Sequence, residues 1–473
     1  MMRTAKTAAA LGLGLIFTLN GCSLAPPLKM PEVDIAKTFK ETPPWMLAQP
    51  ADALSRGAWW KLYGDTQLDA LEDKLIANNP NLAAAVAHYA QAQAYTTQLR
   101  SGLFPSIDGT ASAQRNRQSE MRPLRNGAGP NEYGAYTIGV QADYEIDLWG
   151  RVSNLVKSGL ATEQAEKANL ESTRLSLQVA LAENYIVLRG LDQQIGLLRD
   201  TVLAYGKTLD LTKVRHDGGI APGLDVARAQ TQYDTAQSQV EQTQAKRALS
   251  EHAIAALVGA SASEFNIVPL VDEIAMPAIP VGVPSILLQR RPDIAAAQRR
   301  IAAANASVGV AKAAFFPSLT LSGVLGFQSS SASNWIAFPN TFWAIGPNVL
   351  LNLFDAGKRK AQVAQAQAVL DENGAQYRAV VIGAFAQVED NLALLNHYRT
   401  AAESQQSGAA AAKQSLDFAM SRYREGAASY LDVTTAQTAA LQTQRDLLDI
   451  NTLRLQASVQ LIRALGGGWS AND

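Results

Sequence analysis

The chain has 473 residues, a net charge of −1 and one cysteine. That balance gives no electrostatic reason to bind nucleic acid or an acidic substrate, and a single cysteine allows no intrachain disulfide. The hydrophobic fraction is 47% but the aromatic share only 7%, and much of the remainder is alanine, which suits closely approaching helices better than a thick core.

Residues 1–21 read as a secretory signal. Arg3 and Lys6 precede an apolar run from Ala8 to Leu19, and Leu19-Asn20-Gly21 places small residues ahead of Cys22. After it no apolar run approaches the ~20 residues of a membrane helix, so a bilayer crossing is expected as strands. Residues 22–78 form an N-terminal segment, extended where Pro, Lys and Glu are frequent. Trp59, Trp60 and Tyr63 then anchor it, with Leu68, Leu71, Leu75 and Ile76 at helical spacing.

A first unit covers residues 79–258. Asn79-Pro80-Asn81 opens a helix that ends near Gly102. A strand pair follows over about 104–149, with a Pro- and Gly-containing loop from Arg122 to Asn131. From Tyr136 to Leu148 apolar residues alternate strictly with polar ones. The polar side carries Asp143, Glu145 and Asp147, read as pore-facing carboxylates of a barrel strand with lipid on its other side. A proline-free helix is expected over 150–216, roughly 100 Å long at about 1.5 Å per residue. Within it Leu177, Leu181, Leu188, Leu191, Ile195, Leu198, Val202, Tyr205 and Leu209 recur at steps of four and three, a coiled-coil seam in which Asn184 is the polar member. Asp217-Gly218-Gly219 marks a turn, and a return helix over 223–258 stops at Gly259.

Residues 259–290, with Pro269, Pro277, Pro280 and Pro284, form a connector. A second unit then repeats the first over 291–465: strands over about 316–354, a long helix over 357–423 and a return helix over 429–465. Residues 466–473 are a tail opened by three glycines. Asn184 corresponds to Asn391, Leu188 to Leu395, Phe104-Pro105-Ser106 to Phe316-Pro317-Ser318, and Leu224-Asp225-Val226 to Leu431-Asp432-Val433. Aromatic residues cluster at both ends of the strands: Phe104, Trp149, Phe316 and Phe354 at one, Tyr133, Trp335, Phe338 and Trp343 at the other, as interfacial girdles do. Four strands cannot close a barrel, and an open edge in lipid costs several kcal/mol per unpaired backbone group. The chain is therefore expected to oligomerise until its strands close, twelve being supplied by three copies.

The signal ending at Cys22, the duplicated helix–strand–strand–rod unit, Leu288-Gln289-Arg290-Arg291-Pro292-Asp293-Ile294, Ala314-Phe315-Phe316-Pro317-Ser318 and Ala464-Leu465-Gly466-Gly467-Gly468-Trp469 together resemble one family. It is the TolC-like outer membrane factors, specifically the OprM-like (NodT-type) efflux lipoproteins. The resemblance implies a mainly α fold with membrane β: a homotrimer whose four strands per chain close a twelve-stranded outer-membrane barrel, continuous with a periplasmic α-helical barrel ringed by an equatorial domain. It implies N-acyl and S-diacylglycerol chains on Cys22, no other cofactor and no metal. Ser23 after the cysteine implies the outer membrane. It implies an exit duct for drugs and toxic solutes, served by a periplasmic adaptor and an inner-membrane pump of the RND type. The turns at Arg215–Val226 and Arg422–Val433 correspond to the periplasmic tip. There Asp432 would line the closed aperture, Asp225 would hold the closed state, Tyr423 would tie neighbouring coils, and Gly219, Leu224, Gly426 and Leu431 would receive the adaptor. The chain departs from TolC in having Ala428 for an arginine and Thr435 for a second aspartate, so Arg422 or Arg424 is read as the substitute.

No catalytic constellation emerges. His88, His216, His252 and His397 lack metal-ligand spacing, and Gly206-Lys207-Thr208 lacks the preceding glycine of a phosphate loop. The chain is read as a duct and not an enzyme. Two alternatives stay open: a type I protein-secretion duct, and a lipid-anchored periplasmic coiled-coil scaffold without a pore. The apolar strand faces count against the scaffold, and a periplasmic hydrolase lacks a site.

Overall fold

The computed structural model describes residues 23–33, 40, 57–121, 130–277 and 291–467. The signal, Cys22, the second half of the connector and the tail from 468 onward lie outside the described residues.

A short 3-10 turn at Trp59–Tyr63 leads into α1, Thr66–Asn78, and α2, Pro80–Ser101. The strands β1, Ser106–Arg117, and β2, Glu132–Glu145, precede α3, Arg151–Asp217, and α4, Gly223–Leu257. The order recurs with α5, Pro292–Ala313, then β3, Ser318–Ser329, β4, Thr341–Leu350, α6, Lys358–Arg424, and α7, Tyr430–Ala464. The helices α3 and α6 are each 67 residues long, and α4 and α7 are each 35. Asn184 and Asn391 even make the same bond, each side-chain N–H reaching the carbonyl four residues back at 2.8 and 2.6 Å.

The chain divides into two compact units. One takes in the N-terminal residues to Glu32, His88–Lys167 and Ala296–Tyr377. The other takes in Val33–Ala87, Ala168–Ala295 and Arg378–Asp473.

In the first unit the four strands form one antiparallel sheet in the order β1-β2-β3-β4. Directly paired residues share a face. Gly109↔Val140↔Leu325↔Trp343 and Ile107↔Ala142↔Gly323↔Ile345 lie on one side. Ser106↔Asp143↔Ser322↔Gly346 lie on the other. The apolar side is bare: Leu325 is 60% exposed, Trp343 73% and Ile345 70%. Gly139 and Gly326 face each other across β2 and β3, where a Cβ on Gly326 would stand 2.4 Å from the Ile138 carbonyl oxygen. Only glycine allows that approach.

Two strand limits differ from the sequence reading. β2 stops at Glu145, leaving Ile146 and Leu148 of the alternating run beyond it, and β4 stops at Leu350, before Leu351 and Leu353. After Glu145 the chain turns into α3 through Gly150, at φ 69°. A helix start needs acceptors for its free N–H groups, and this one takes them from the end of the alternating run.

In the second unit Trp59, Leu68, Leu75, Leu181, Tyr185, Leu188 and Ile254 form the main core. The seam residues Leu181, Leu188 and Leu198 are fully buried, and Val381 and Val388 repeat this in α6. Ile76, grouped with Leu68, Leu71 and Leu75 in the sequence reading, points outward instead, since it lies one residue past Leu75 on the helix. A buried polar network joins α3, α4, the start of α1 and the connector. The Asp192 carboxylate accepts from Arg189 at 2.9 Å, from Arg247 at 2.5 Å and from the Leu270 backbone at 3.2 Å. Arg189 also donates to the Val268 carbonyl at 3.0 Å and to the side chain of Gln67. Arg247 donates to the Ile267 carbonyl at 2.6 Å, and Glu251 accepts the Ile267 N–H at 2.6 Å. The connector residues 267–270 are thus fastened by backbone bonds to charged side chains, which outlast bonds between neutral groups. Arg291 works similarly. It pairs with Asp293 at 2.7 Å and donates to Gln387 at 2.9 Å and to the Ala464 carbonyl at 3.1 Å, an orphan of the α7 C-terminus.

Candidate functional site: sheet faces and helix-end turns

The three carboxylates read as pore-facing have separate fates. Asp143 lies on the polar side of the sheet, where it accepts from Gln141 at 2.7 Å and from the Ser322 hydroxyl at 2.6 Å. Glu145 is the last residue of β2 and forms a two-pronged pair with Arg151 at 2.7 and 2.5 Å. It is therefore half of a neutral pair, and not a free charge on a pore wall. Asp147 is outside the strand altogether. Its oxygens accept the N–H groups of Val152 at 3.1 Å and Ser153 at 2.7 Å. Asp147 caps α3, because the unpaired N–H groups of a helix start attract a carboxylate. Two of the aromatic residues at this end meet: Trp149 stacks on Phe316 at 4.6 Å and donates to the Pro317 carbonyl at 2.8 Å.

The turns that join α3 to α4 and α6 to α7 belong to the second unit and share a plan. Gly219 and Gly426 sit at φ 73° and 81°, a conformation that favours glycine. The Ile220 N–H reaches the Arg215 carbonyl at 2.8 Å, and the Ala427 N–H reaches the Arg422 carbonyl at 2.8 Å. Beyond the glycines Leu224 and Leu431 are 58% and 53% exposed. The two leucines hold matched positions in the repeat, one at the start of α4 and one at the start of α7.

The helix starts differ. Ser429 caps α7: its hydroxyl accepts the Asp432 N–H at 3.4 Å and donates to the Asp432 carboxylate at 2.8 Å, while the Ser429 N–H reaches that carboxylate at 3.0 Å. The Ser429 hydroxyl, then its N–H, and the nearby Arg422 charge hold the Asp432 carboxyl below the usual range. In the first turn Pro222 stands at the cap with no side-chain bond, and Asp225 pairs with Arg228 at 3.8 Å. The Ser-x-x-Asp spacing is that of a capping box.

Tyr423 is 3% exposed and sits under α3. Its hydroxyl is 3.3 Å from that of Thr212, and its ring meets Tyr430 edge-on at 5.6 Å. The cation at Tyr423 is Arg215, which the sequence reading did not single out. Its guanidinium lies 4.7 Å above the Tyr423 ring and donates to the Tyr423 carbonyl at 2.6 Å. Arg422, read as a substitute for the missing arginine, instead reaches the Ala427 carbonyl of its own turn at 3.3 Å. Arg424, the other substitute, is an exposed residue at the end of α6. The rod ends being one repeat, Arg215 was findable as the partner position of Arg422. No local pattern marks which arginine points inward.

Among the described residues no group of His, Cys, Asp and Glu is arranged to hold a metal ion, and no helix is long and apolar enough to cross a membrane. His88 pairs with Glu166 at 3.3 Å, and His216 Nδ1 lies 2.8 Å from the Ala221 carbonyl.

The family model described as outer membrane efflux protein matches residues 71–260 and 283–467, one stretch for each repeat. The toluene efflux pump outer membrane protein TtgC of Pseudomonas putida is 31% identical over 455 residues, spanning 96% of this chain and 94% of the relative. The pyoverdine export outer membrane protein OpmQ of Pseudomonas aeruginosa is 31% identical over 434 residues, spanning 90% and 91%. Among solved structures, the CmeC outer membrane channel of Campylobacter jejuni superposes with a TM-score of 0.88 at 25% identity, covering 96% of both chains. Bare apolar strands on one sheet face, paired long helices and these matches agree: the chain belongs to the outer membrane efflux protein family and is an outer-membrane channel protein of efflux.

Proposed function

We propose that the chain is one third of a passive exit duct for drugs and toxic small molecules. Three copies join the β1 edge of one to the β4 edge of the next, and the twelve strands close as a barrel. The observation that carries this is the sheet itself. One face is exposed and apolar, the other small and polar, and β1 and β4 each have only one neighbour in the strand order. Lipid covers such a face, and in lipid such edges need another strand. Transport down a gradient set by another protein needs no chemistry in the duct.

The remaining parts of the reading follow. Cys22 carries the acyl chains that anchor the mature N-terminus in the outer membrane. The two helix-end turns form the closed tip, with Asp432 from each copy around the axis and Asp225 and Tyr423 holding the neighbouring helices. Arg215 supplies the cation in place of Arg422 or Arg424. A periplasmic adaptor docks on Gly219, Leu224, Gly426 and Leu431, and an inner-membrane pump of the RND type supplies the energy. TtgC, named for toluene efflux, and OpmQ, named for pyoverdine export, support a small-molecule cargo.

The test is functional and electrical. A strain lacking this chain should accumulate toxic small molecules and recover on complementation, and the purified protein should conduct ions across a planar bilayer. Unchanged susceptibility to a broad toxicant panel, with no conductance, would refute the duct.

A further inference from the structure

We propose that the joint between two copies of the chain binds an anionic phospholipid, its phosphate held by Arg100 of one copy and by Lys358 and Lys360 of the next. This rests on the reading of the chain as one third of a barrel closed edge to edge.

All the groups involved lie in the first unit. At this end of the sheet the helix ends follow the order of the strands. A Cβ on Gly102, just past α2, would stand 3.4 Å from Val152 at the start of α3. Trp149, just before α3, stacks on Phe316, just after α5. The Arg359 guanidinium of α6 lies 5.3 Å from the centre of the Phe315 ring. The series α2, α3, α5, α6 thus runs parallel to β1, β2, β3, β4, and α2 and α6 are its open sides. β1 begins at Ser106 and β4 ends at Leu350. Joining β4 of one copy to β1 of the next, antiparallel as within the sheet, therefore brings the start of α6 to the end of α2.

That joint gathers cations and has no carboxylate to spare. Arg100 is in the last turn of α2, Lys358 and Lys360 are in the first turn of α6, and all three are exposed. The carboxylates at this level are taken. Glu145 pairs with Arg151, Asp147 caps α3, and Asp355 accepts from Arg359 at 2.5 Å and from the Gly357 N–H at 3.0 Å. The repeat shows what is missing. The matching joint inside the chain joins the start of α3 to the end of α5, with Arg151 and Lys312 as the counterparts of Lys358 and Arg100. There Glu145 neutralises Arg151, but the counterpart of Glu145 in the second copy is Asn352, and that of Lys360 is Ser153. The internal joint therefore carries one lysine and a neutral pair, and the joint between copies carries three positive charges. A helix dipole favours Arg100 at the end of α2 but opposes two lysines in the first turn of α6. A phosphate at that helix start suits both the dipole and the lysines.

The apolar neighbours make the occupant a lipid. Leu353 and Phe354, between β4 and α6, are each 86% exposed, and Phe104, between α2 and β1, is 68% exposed. Apolar groups on the sheet side and cations on the helix side follow the outline of a phospholipid, acyl chains against the first and phosphate at the second. A soluble phosphate would use the cations alone.

The test adds phosphatidylglycerol or, separately, phosphatidylethanolamine with the same acyl chains to the purified full-length protein in detergent, and native mass spectrometry reads the lipid-bound species. The expected result is a trimer that binds phosphatidylglycerol at least about tenfold more tightly than phosphatidylethanolamine, as three cations near one phosphate require. Lys358→Gln combined with Lys360→Gln and, independently, Asn352→Glu, which restores the carboxylate of the first copy, should leave the trimer intact and cut that preference at least about fivefold. A wild-type trimer without the preference, or a preference unchanged in both variants, overturns the lipid site alone. Protein that is monomeric in both lipids overturns the barrel reading and the site with it.

Discussion

Asp192→Ala probes the polar network under the connector. The Asp192 side chain is 1% exposed and stands between Arg189 at 2% and Arg247 at 11%. Removing the carboxylate leaves Arg189 buried without its counter-charge, leaves Arg247 only Glu251 at 3.4 Å, and frees the Leu270 N–H. Breaking a buried pair from one side costs about 3–5 kcal/mol. That is a large fraction of the roughly 5–15 kcal/mol that holds a typical domain. The loss falls first on residues 267–270, whose backbone groups bond to Arg189, Arg247, Glu251 and Asp192. At about 1.4 kcal/mol per tenfold, amide exchange at Ile267 and Leu270 should accelerate roughly a hundredfold to a few thousandfold. The assay is hydrogen exchange by mass spectrometry on the detergent-solubilised protein, with the helical circular dichroism signal as control. Acceleration below about fivefold in Asp192→Ala would mean that the network is a bystander, an effect worth less than about 1 kcal/mol.

Three further outcomes are expected. Arg215→Ala removes both the cation over the Tyr423 ring and the bond to its carbonyl, so it should raise single-channel conductance. Arg422→Ala and Arg424→Ala should change it less, and the reverse ranking would contradict the geometry. Asp432→Ala should lower cation selectivity read as a bilayer reversal potential, because a ring of carboxylates attracts cations. Since Ser429 holds the Asp432 carboxyl below its ordinary value, the charge and its selectivity are present above the usual carboxylate range and lost only as pH falls through the depressed value. Ser429→Ala should move that loss to higher pH, and an unmoved titration would count against it. Glu72 of α1 is fully buried with no partner for either oxygen, and burial, then Asp73 and Asp69, push its carboxyl up to about 9. The folded chain keeps that proton where the unfolded chain releases it, so its stabilising effect is complete below about 4.5 and is lost as pH rises towards 9. Glu72→Gln should raise the urea midpoint at pH 8 and leave it nearly unchanged at pH 4; equal gains at both would refute the protonated state.

The repeat was legible because each copy carries its own punctuation: a proline near a helix start, a glycine at each rod end, and an asparagine in the seam. The seam itself could be read because coiled-coil packing imposes a period on one helix. The strand faces could be read because alternation is a property of a single strand. Other features depend on partners far along the chain, and no period records them. Arg189, Asp192 and Arg247 meet only after α3 and α4 pack, and Arg215 finds Tyr423 only after the two copies come together. Asp147 shows the limit of alternation. It keeps the rhythm of the strand, but the helix that begins at Arg151 claims its oxygens, and local capping overrides the pattern. Glu145 likewise keeps the rhythm and is claimed by Arg151. Docking of Ser23 through Pro26 on Asn154 and Asn305 had no sequence signal, since one serine hydroxyl and one main-chain carbonyl leave no residue pattern.

Closure of the barrel between copies is tested most directly by cross-linking its edges. The chain's one native cysteine is Cys22, so single pairs such as Asp108→Cys on β1 with Ala344→Cys on β4, both on the polar side of the sheet, report cleanly. Oxidation of outer membranes carrying a scan of such pairs should give a ladder that ends at three chains. A ladder that stops at one chain across the whole scan, or that runs past three, would contradict a wall built from three copies of this sheet.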